Sequence, residues 1–349
     1  MKNFPKLFPA SAFSAMEISR DKVLVVTADK KENGELLLLG GGEARLEGLE
    51  KGEITNAGDL VEAISEAAAK AEKSAGARPG KLYFNLDDPK IESAWPSGSR
   101  ILDGEGEIQA SDVRAAVDAA ERLAGNFEKK IVYAAETGFL IDDKDSVADP
   151  VGIFGHKLEV TVHLILARAD RLDAWSRLLL RAGFSGSIPV LSGLSSARAV
   201  LGPDEKTGQR IVWDLGRDYL NGLVMANGRV LEYRTLLSAA GEWDHDAGVV
   251  LALCQEFYKK YPGLLEVVLT GELSADEKFS GELKAGLEIP VRSAAVKGMA
   301  RLSEPSHAAI AGLIGLAGEI ERKTVILRPQ KHTLSQAREK LRSFLSDYF

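Results

Sequence analysis

Five histidines, His156, His163, His245, His307 and His332, stand singly along the 349 residues. Only His245 has acids beside it, in Asp244-His245-Asp246. Consecutive residues of a helix or strand point in different directions, so this triplet reads as a capping turn before a helix over 246–261 and not as a metal centre. The one cysteine, Cys254, can neither close an internal disulfide nor build a thiolate cluster, which fits a reducing compartment. The run SGLSS at 192–196 lacks the strand-turn-helix spacing of a nucleophile elbow and reads as a loop leading into a helix. Gly40-Gly41-Gly42 follows a strand, but no dinucleotide fingerprint continues from it. His163 lies in an alternating segment and reads as a half-buried strand residue. The residue pattern gives no support to nucleophilic, metal or hydride chemistry.

The elements around these residues alternate between strand and helix. Residues 22–28 and 35–40 form a hairpin about Asn33-Gly34. The 3–4 spacing of Leu60, Ile64, Ala67 and Ala71 predicts a helix over 59–74 with Asp59 as N-cap, and 82–86 follows as a strand. Residues 103–107 read as a turn-rich stretch. A helix over 111–124 comes next, with Val113, Val117, Ala120 and Leu123 inward, then strands at 130–135, 138–141 and 158–166. One helix among several strands describes a small α+β unit. Residues 170–182 predict a helix closed by Gly183. A second α/β half has strands at 209–213, 222–225, 229–233 and 265–269, with Asn227-Gly228 as a hairpin turn. A strand hairpin opening each half hints at an internal duplication. The apolar run 308–317, interrupted by small residues, reads as a buried helix.

Hydrophobic residues are 45% and charged residues 27%, enough apolar material for a sizeable core. The net charge of -7 argues against a broad nucleic-acid surface, and no nucleic-acid partner is expected. No uncharged run approaches the ~20 residues that span a bilayer.

The last residues carry a different signal. Leu334, Ala337, Leu341, Phe344, Leu345 and Tyr348 fall on one helical stripe, with Thr333 as a candidate N-cap. Lys331, Arg338, Lys340 and Arg342 outnumber Glu339 and Asp347 in an otherwise acidic chain. An apolar face with basic flanks is the pattern of a helix lying in a lipid interface. Lys340, Leu341, Arg342, Phe344, Leu345, Tyr348 and Phe349 are the expected membrane contacts. A last helix packed on the protein's own core would carry the same stripe.

Several segments resemble the actin-like fold and, within it, the FtsA family of bacterial cell-division proteins. They are LEKGE at 49–53 with the helix behind it, EIQASDV at 107–113, DPVGIFGHKLEVTVH at 149–163, and PDEKTG at 203–208 before IVWDLG at 211–216. The match runs from about residue 15 to about 250. The 149–163 segment is the most specific. The resemblance implies an α/β, actin-like (ribonuclease H-like) two-lobed fold with a small α+β inserted domain. Residues 15–81 and 168–200 would form the first lobe, 82–167 the insert, 201–328 the second lobe, and 329–349 the membrane-binding helix.

Members of this fold hold Mg-ATP between two facing hairpins, each with an aspartate, glycines that admit phosphate to the backbone, and hydroxyls. On that resemblance the nucleotide site falls on Glu17, Ser19 and Lys22 of the first hairpin, Asp214 and Gly216 of the second, and Gly271 of the adenosine turn. Each motif departs from the family pattern. Glu17 replaces aspartate and Ser19 replaces glycine. Arg217 and Asp218 stand where glycines belong, Tyr219 and Leu220 where hydroxyls belong, and Glu272 and Leu273 follow Gly271. Glu17, Lys22 and Asp214 therefore also read as scaffold polar residues. Only 22 positions separate Asp246 from Val268, where the family places a helical subdomain. No cofactor is assigned: ATP with Mg²⁺ is what the motifs would hold if intact, and turnover is not expected. The resemblance implies a scaffold on the cytoplasmic face of the inner membrane. It would self-associate through the insert and tie FtsZ-type division filaments to lipid. A working actin-like ATPase and an actin-like platform of a pilus or secretion machine are the rival expectations.

Overall fold

The computed structural model describes residues 12–326 apart from 32, 34, 77–80, 126 and 240–242. The expected C-terminal helix, with its seven membrane-contact residues, lies outside the described residues.

The first lobe opens with β1 (Phe13–Ile18), β2 (Lys22–Lys30) and β3 (Leu36–Arg45), an antiparallel meander. A short hairpin, β4 (Leu49–Glu50) and β5 (Glu53–Ile54), precedes α1 (Ala57–Ala75). The side chain of Asn56 accepts from the amides of Gly58 and Asp59, so Asn56 is the N-cap and the expected Asp59 lies inside the first turn. The glycine triplet has a packing role. A Cβ at Gly42 would meet the Ala67 carbonyl oxygen at 2.2 Å, and one at Gly40 would meet Ser74 and the Ala75 amide at 2.5 Å. Because these residues are glycines, α1 rests directly on the edge strand. Ser74 Oγ then bonds both the amide and the carbonyl of Gly41, and Lys70 donates to the Glu43 carbonyl. The helix thus satisfies outward-facing backbone groups that would otherwise invite pairing with another chain.

Strand β6 (Lys81–Leu86) runs parallel to β1 inside the first-lobe sheet. The expected insert boundary at 82 therefore moves beyond Leu86. The insert comprises β7 (Glu92–Ala94), β8 (Ser97–Glu107), α2 (Ala110–Ala124), β9 (Lys129–Ile141), β10 (Asp145–Val147) and β11 (Phe154–Arg168). The expected turn at 103–107 is the end of β8, and the two strands expected at 130–141 are one bulged strand. Within α2, Ala116, Val117 and Ala120 are buried, whereas Leu123 is 73% exposed and does not face inward.

Helix α3 (Ala169–Arg181) and β12 (Gly186–Leu191) return to the first lobe, whose sheet order is β12-β6-β1-β2-β3. The run SGLSS opens α4 (Ser192–Val200) and is buried helix, not loop. The second lobe follows: β13 (Gln209–Leu215), β14 (Tyr219–Ala226), β15 (Arg229–Leu237), α5 (Trp243–Lys260), β16 (Leu264–Thr270), α6 (Glu277–Gly286) and β17 (Val291–Ser293). Asn227 and Gly228 both have positive φ, as their hairpin turn requires. The sheet order β17-β16-β13-β14-β15 repeats that of the first lobe strand for strand, which supports the duplication read from the sequence.

The last described helix, α7 (Ala308–Ile326), was expected within the second lobe. It packs on α4 and on β1, β2 and β6 of the first lobe. The correction follows from small residues: a Cβ at Gly312 would lie 1.7 Å from the Ser195 carbonyl oxygen, so α4 and α7 cross at backbone contact. Their buried residues join one core with Tyr133 and Ile165 of the insert and Val212 and Leu223 of the second lobe.

The insert also grips the second lobe at Val230. Tyr133 Oη accepts from the Val230 amide at 2.9 Å, and the Val230 carbonyl lies 2.7 Å from His163 Nδ1. His163 is fully buried, not half-buried as its alternation implied. It stacks on Trp95 with centroids 4.9 Å apart, and Lys260 Nζ lies over the Trp95 ring at 4.9 Å from its centroid. Among the described residues no helix is long and apolar enough to cross a membrane.

Gly312→Val is expected to destabilise the protein by at least the ~1–3 kcal/mol typical of overpacking. Gly315→Ala, in the same helix with nothing within 4 Å of its Cβ, is expected to be neutral or to gain up to ~1 kcal/mol. Urea unfolding of the two variants tests this, and equal losses would contradict the crossing.

Candidate functional site

The two lobes meet at a cleft holding a cavity of about 250 Å³, below the ~300–1,000 Å³ of ordinary ligand pockets. All six residues expected at a nucleotide site line it: Glu17, Ser19, Lys22, Asp214, Gly216 and Gly271. The geometry shows what each residue does there.

On the first hairpin, Ser19 closes its own turn. Its amide donates to the Lys22 carbonyl at 3.0 Å and its hydroxyl lies 3.3 Å from the same oxygen. Lys22 Nζ pairs with Glu43 of β3 at 3.4 Å. On the second hairpin, the Gly216 amide donates to the Tyr219 carbonyl at 2.9 Å, making a tight 216–219 turn. Gly271 has φ +86°. Its amide is taken by the Pro305 carbonyl, and a Cβ there would strike Leu215 and Asp214.

The departures from the family pattern find partners in the protein itself. Arg217 pairs with Glu272 at 2.7 Å, so two second-lobe residues standing at glycine positions bind each other at the cleft mouth. Asp218 faces Arg20 at 3.9 Å. Both pairs are solvent-accessible, with the arginines about half exposed, and contribute little stability alone. Tyr219 reaches the β4–β5 turn, where a Cβ at Gly52 would fall 1.6 Å from its hydroxyl. Arg171 of α3 holds that turn by donating to the Gly52 carbonyl and pairing with Glu53 at 3.1 Å. Its Nε also lies 3.4 Å from the buried Asp88.

At the floor sits Asp87, which sequence reasoning missed. Its carboxylate accepts from Asn85 at 3.0 Å, Ser192 at 2.7 Å and Asn221 at 2.7 Å, donors on β6, α4 and β14. Asn221 Oδ1 in turn accepts from Thr235 at 2.8 Å and Tyr233 at 3.3 Å. The available signal was Asp87-Asp88 at the carboxyl end of a strand, where open α/β sheets place ligands. Arg171 and Gly52 carried no comparable mark.

The floor is strongly acidic. Burial, reinforced by the Asp214 charge, pushes Glu17 up to about 8, against the pull of Lys22. Burial and the Asp87 charge push Asp214 up to about 7. Asp87 is raised by burial as well, opposed by its three donors. A triphosphate entering here would meet these carboxyls, and Asp218 and Glu272 at the rim. Among the described residues no three His, Cys, Asp or Glu side chains are grouped to hold a metal ion.

Residues 90–166 match the model for the SHS2 domain inserted in FtsA. The Cell division protein FtsA of Neisseria meningitidis is 27% identical over 65% of this chain and 55% of its own length. That of Bacillus subtilis is 26% identical over 76% and 61%. The chain thus spans little more than half the length of the curated relatives it matches. Among solved structures, the PilM-PilN type IV pilus biogenesis complex superposes with a TM-score of 0.60 at 14% identity, covering 91% of this chain and 99% of that one. MreB5 of Spiroplasma citri bound to ADP gives 0.51 at 9% identity, covering 90% and 99%. The fold is the actin-like one.

Both raised carboxyls make the folded state bind more protons than the unfolded chain between pH ~4 and ~8, so stability must fall as pH rises through that window. Glu17→Gln removes the largest such penalty. It is expected to raise the melting temperature at pH 8.5, by roughly 2–4 °C per kcal/mol regained, and to change it little at pH 5. Parallel melting curves for the variant and the parent from pH 5 to 9 would contradict the assignment.

Proposed function

From the premise that this chain is a member of the FtsA family of actin-like proteins, we propose that it is a cell-division scaffold. It binds the cytoplasmic face of the inner membrane peripherally, ties FtsZ-type filaments to it, and does not turn over ATP. The observation that carries this reading is the self-occupied cleft. Arg217, Asp218, Tyr219 and Glu272 take the volume and the contacts that a nucleotide needs, and each is engaged within the protein. The SHS2 domain matched at 90–166 supports a division role. By analogy with the family, it would supply contacts between protomers.

Membrane contact rests on the 331–349 segment. Burying its large apolar side chains gains ~1.5–3 kcal/mol each, partly offset by the cost of ordering a short helix. One copy binds weakly, and a row of copies binds by avidity.

A second reading is favoured by one specific observation. The likeness to the PilM-PilN complex covers nearly the whole of both chains, whereas the FtsA relatives are covered over little more than half their length. In that reading the chain is an actin-like platform for a pilus or secretion machine. Affinity capture from native cells separates the two, by recovery of a division filament protein or of inner-membrane pilus components.

Flotation with vesicles containing anionic lipid is expected to carry the full chain and to leave behind a version lacking 331–349. Identical flotation of the two would remove the membrane role. Mg-ATP at about 1 mM is expected to leave the melting temperature unchanged. A site with a Kd near 10 µM would instead add ~2.7 kcal/mol and several degrees.

A further inference from the structure

The outer end of the insert combines acid with exposed apolar surface. Ile101 is 74% exposed and Phe154 61%, with Val151 and Ile153 beside Phe154 in the turn that leads into β11. Asp103, Glu105 and Glu107 follow Ile101 along β8 and all are exposed. Register ties the acid to the apolar group, since Phe154 is paired directly across from Glu107. The nearest atom a side chain at Gly152 would meet is the Glu107 carboxylate, at 3.9 Å. Among the described residues none of these three acids is in an ion pair. The cation of this face, Lys157 across from Ile101, is already held by Asp143 at 2.6 Å, and large exposed apolar side chains beside exposed acids mark a surface that a basic, apolar partner covers.

The same chain contains a segment of opposite character. Between 331 and 349, Lys331, Arg338, Lys340 and Arg342 face only Glu339 and Asp347, and the apolar stripe of Leu334, Leu341, Phe344 and Leu345 runs between them. Elsewhere the chain is acidic overall. We propose that the acidic, apolar outer face of the insert is a docking site for the basic C-terminal segment of this protein, residues 333–349. Apolar side chains of the tail cover Phe154 and Ile101, and Arg338, Lys340 and Arg342 answer Asp103, Glu105 and Glu107. An anionic bilayer is repelled by this face yet attracts the same tail, so lipid and insert compete for one segment. A tail held on the insert is a tail withheld from the membrane.

The inference stands apart from the membrane role, because its test contains no lipid. Treating the full chain with a carbodiimide joins carboxylates to lysine amines that are in contact. Peptide mass spectrometry is expected to find Lys340 coupled to Glu105 or Glu107. That coupling should fall at least fivefold in about 0.5 M salt, where exposed charges are screened. It should fall likewise in the full chain carrying Glu105→Lys and Glu107→Lys, whose positions are exposed and whose fold is checked by an unchanged melting temperature. Adding Arg338→Glu and Arg342→Glu to that variant should restore a coupling between the substituted positions of β8 and the charge-reversed tail. Absence of any tail–insert coupling, or coupling of the tail to another surface, overturns the proposal. If flotation persists in that case, the tail is a lipid segment only.

Discussion

A carboxylate lodged between two lobes must be given donors, and the donors of Asp87 come from three different elements. Asn85 lies on the same strand, Ser192 begins α4, and Asn221 is the second-lobe contribution. Removing any one leaves a charge in a poorly solvated place, so the cheapest arrangement is the one in which the lobes stay together. Charge-assisted bonds of this kind are worth roughly 1.5–3 kcal/mol each, more than the exposed pairs at the cleft mouth can offer. The fold's two halves are therefore held in part by one carboxyl group of the protein's own at the floor of the cleft.

The other unusual residues of the cleft follow from that closure. With the lobes close, Asp218 faces Arg20 and Tyr219 reaches the Gly52 turn. Arg217 and Asp218 are each paired within the chain, whereas the Tyr219 hydroxyl is buried against the Gly52 turn without a hydrogen-bond partner. The closure is not free of strain. Glu17 and Asp214 share the floor with Asp87, and their raised affinities for protons record burial first and the mutual repulsion second.

Fold class was legible in the sequence because hairpin turns and apolar periodicity act locally: Asn227-Gly228 turns as written, and α1 follows the 3–4 spacing of its alanines and leucine. What stayed hidden depended on distant partners. Gly40-Gly41-Gly42 looks like failed phosphate chemistry until α1 is laid on it. SGLSS looks like loop until Gly312 lets α7 approach its backbone. Leu123 has helical phase for the core, but α2 covers the sheet with Ala116, Val117 and Ala120 and leaves it outside. At the cleft, residues on recognisable hairpins could be named in advance. Asp87 could not, since nothing local to it tells that Asn221, 134 positions later, will donate to it.

The same reasoning bears on what kind of machine this architecture can be. An actin-like ATPase works by letting a ligand set the angle between its lobes, so its lobes must be free to part. Here Asp87 fixes the floor, α4 and α7 cross at backbone contact, and the insert clamps both polar groups of Val230 on the second lobe. The insert leaves and rejoins the chain within the first lobe, so its grip on the second spans the hinge from outside, as Asp87 spans it from within. A protomer held at two separated points loses little conformational entropy when neighbours assemble on it, because that entropy was already surrendered on folding. Such rigidity is a handicap for hydrolysis and an advantage for a scaffold. In the scaffold proposed above, the variable quantity would be how many copies line up, and a weak contact made by each copy would become strong only in a row.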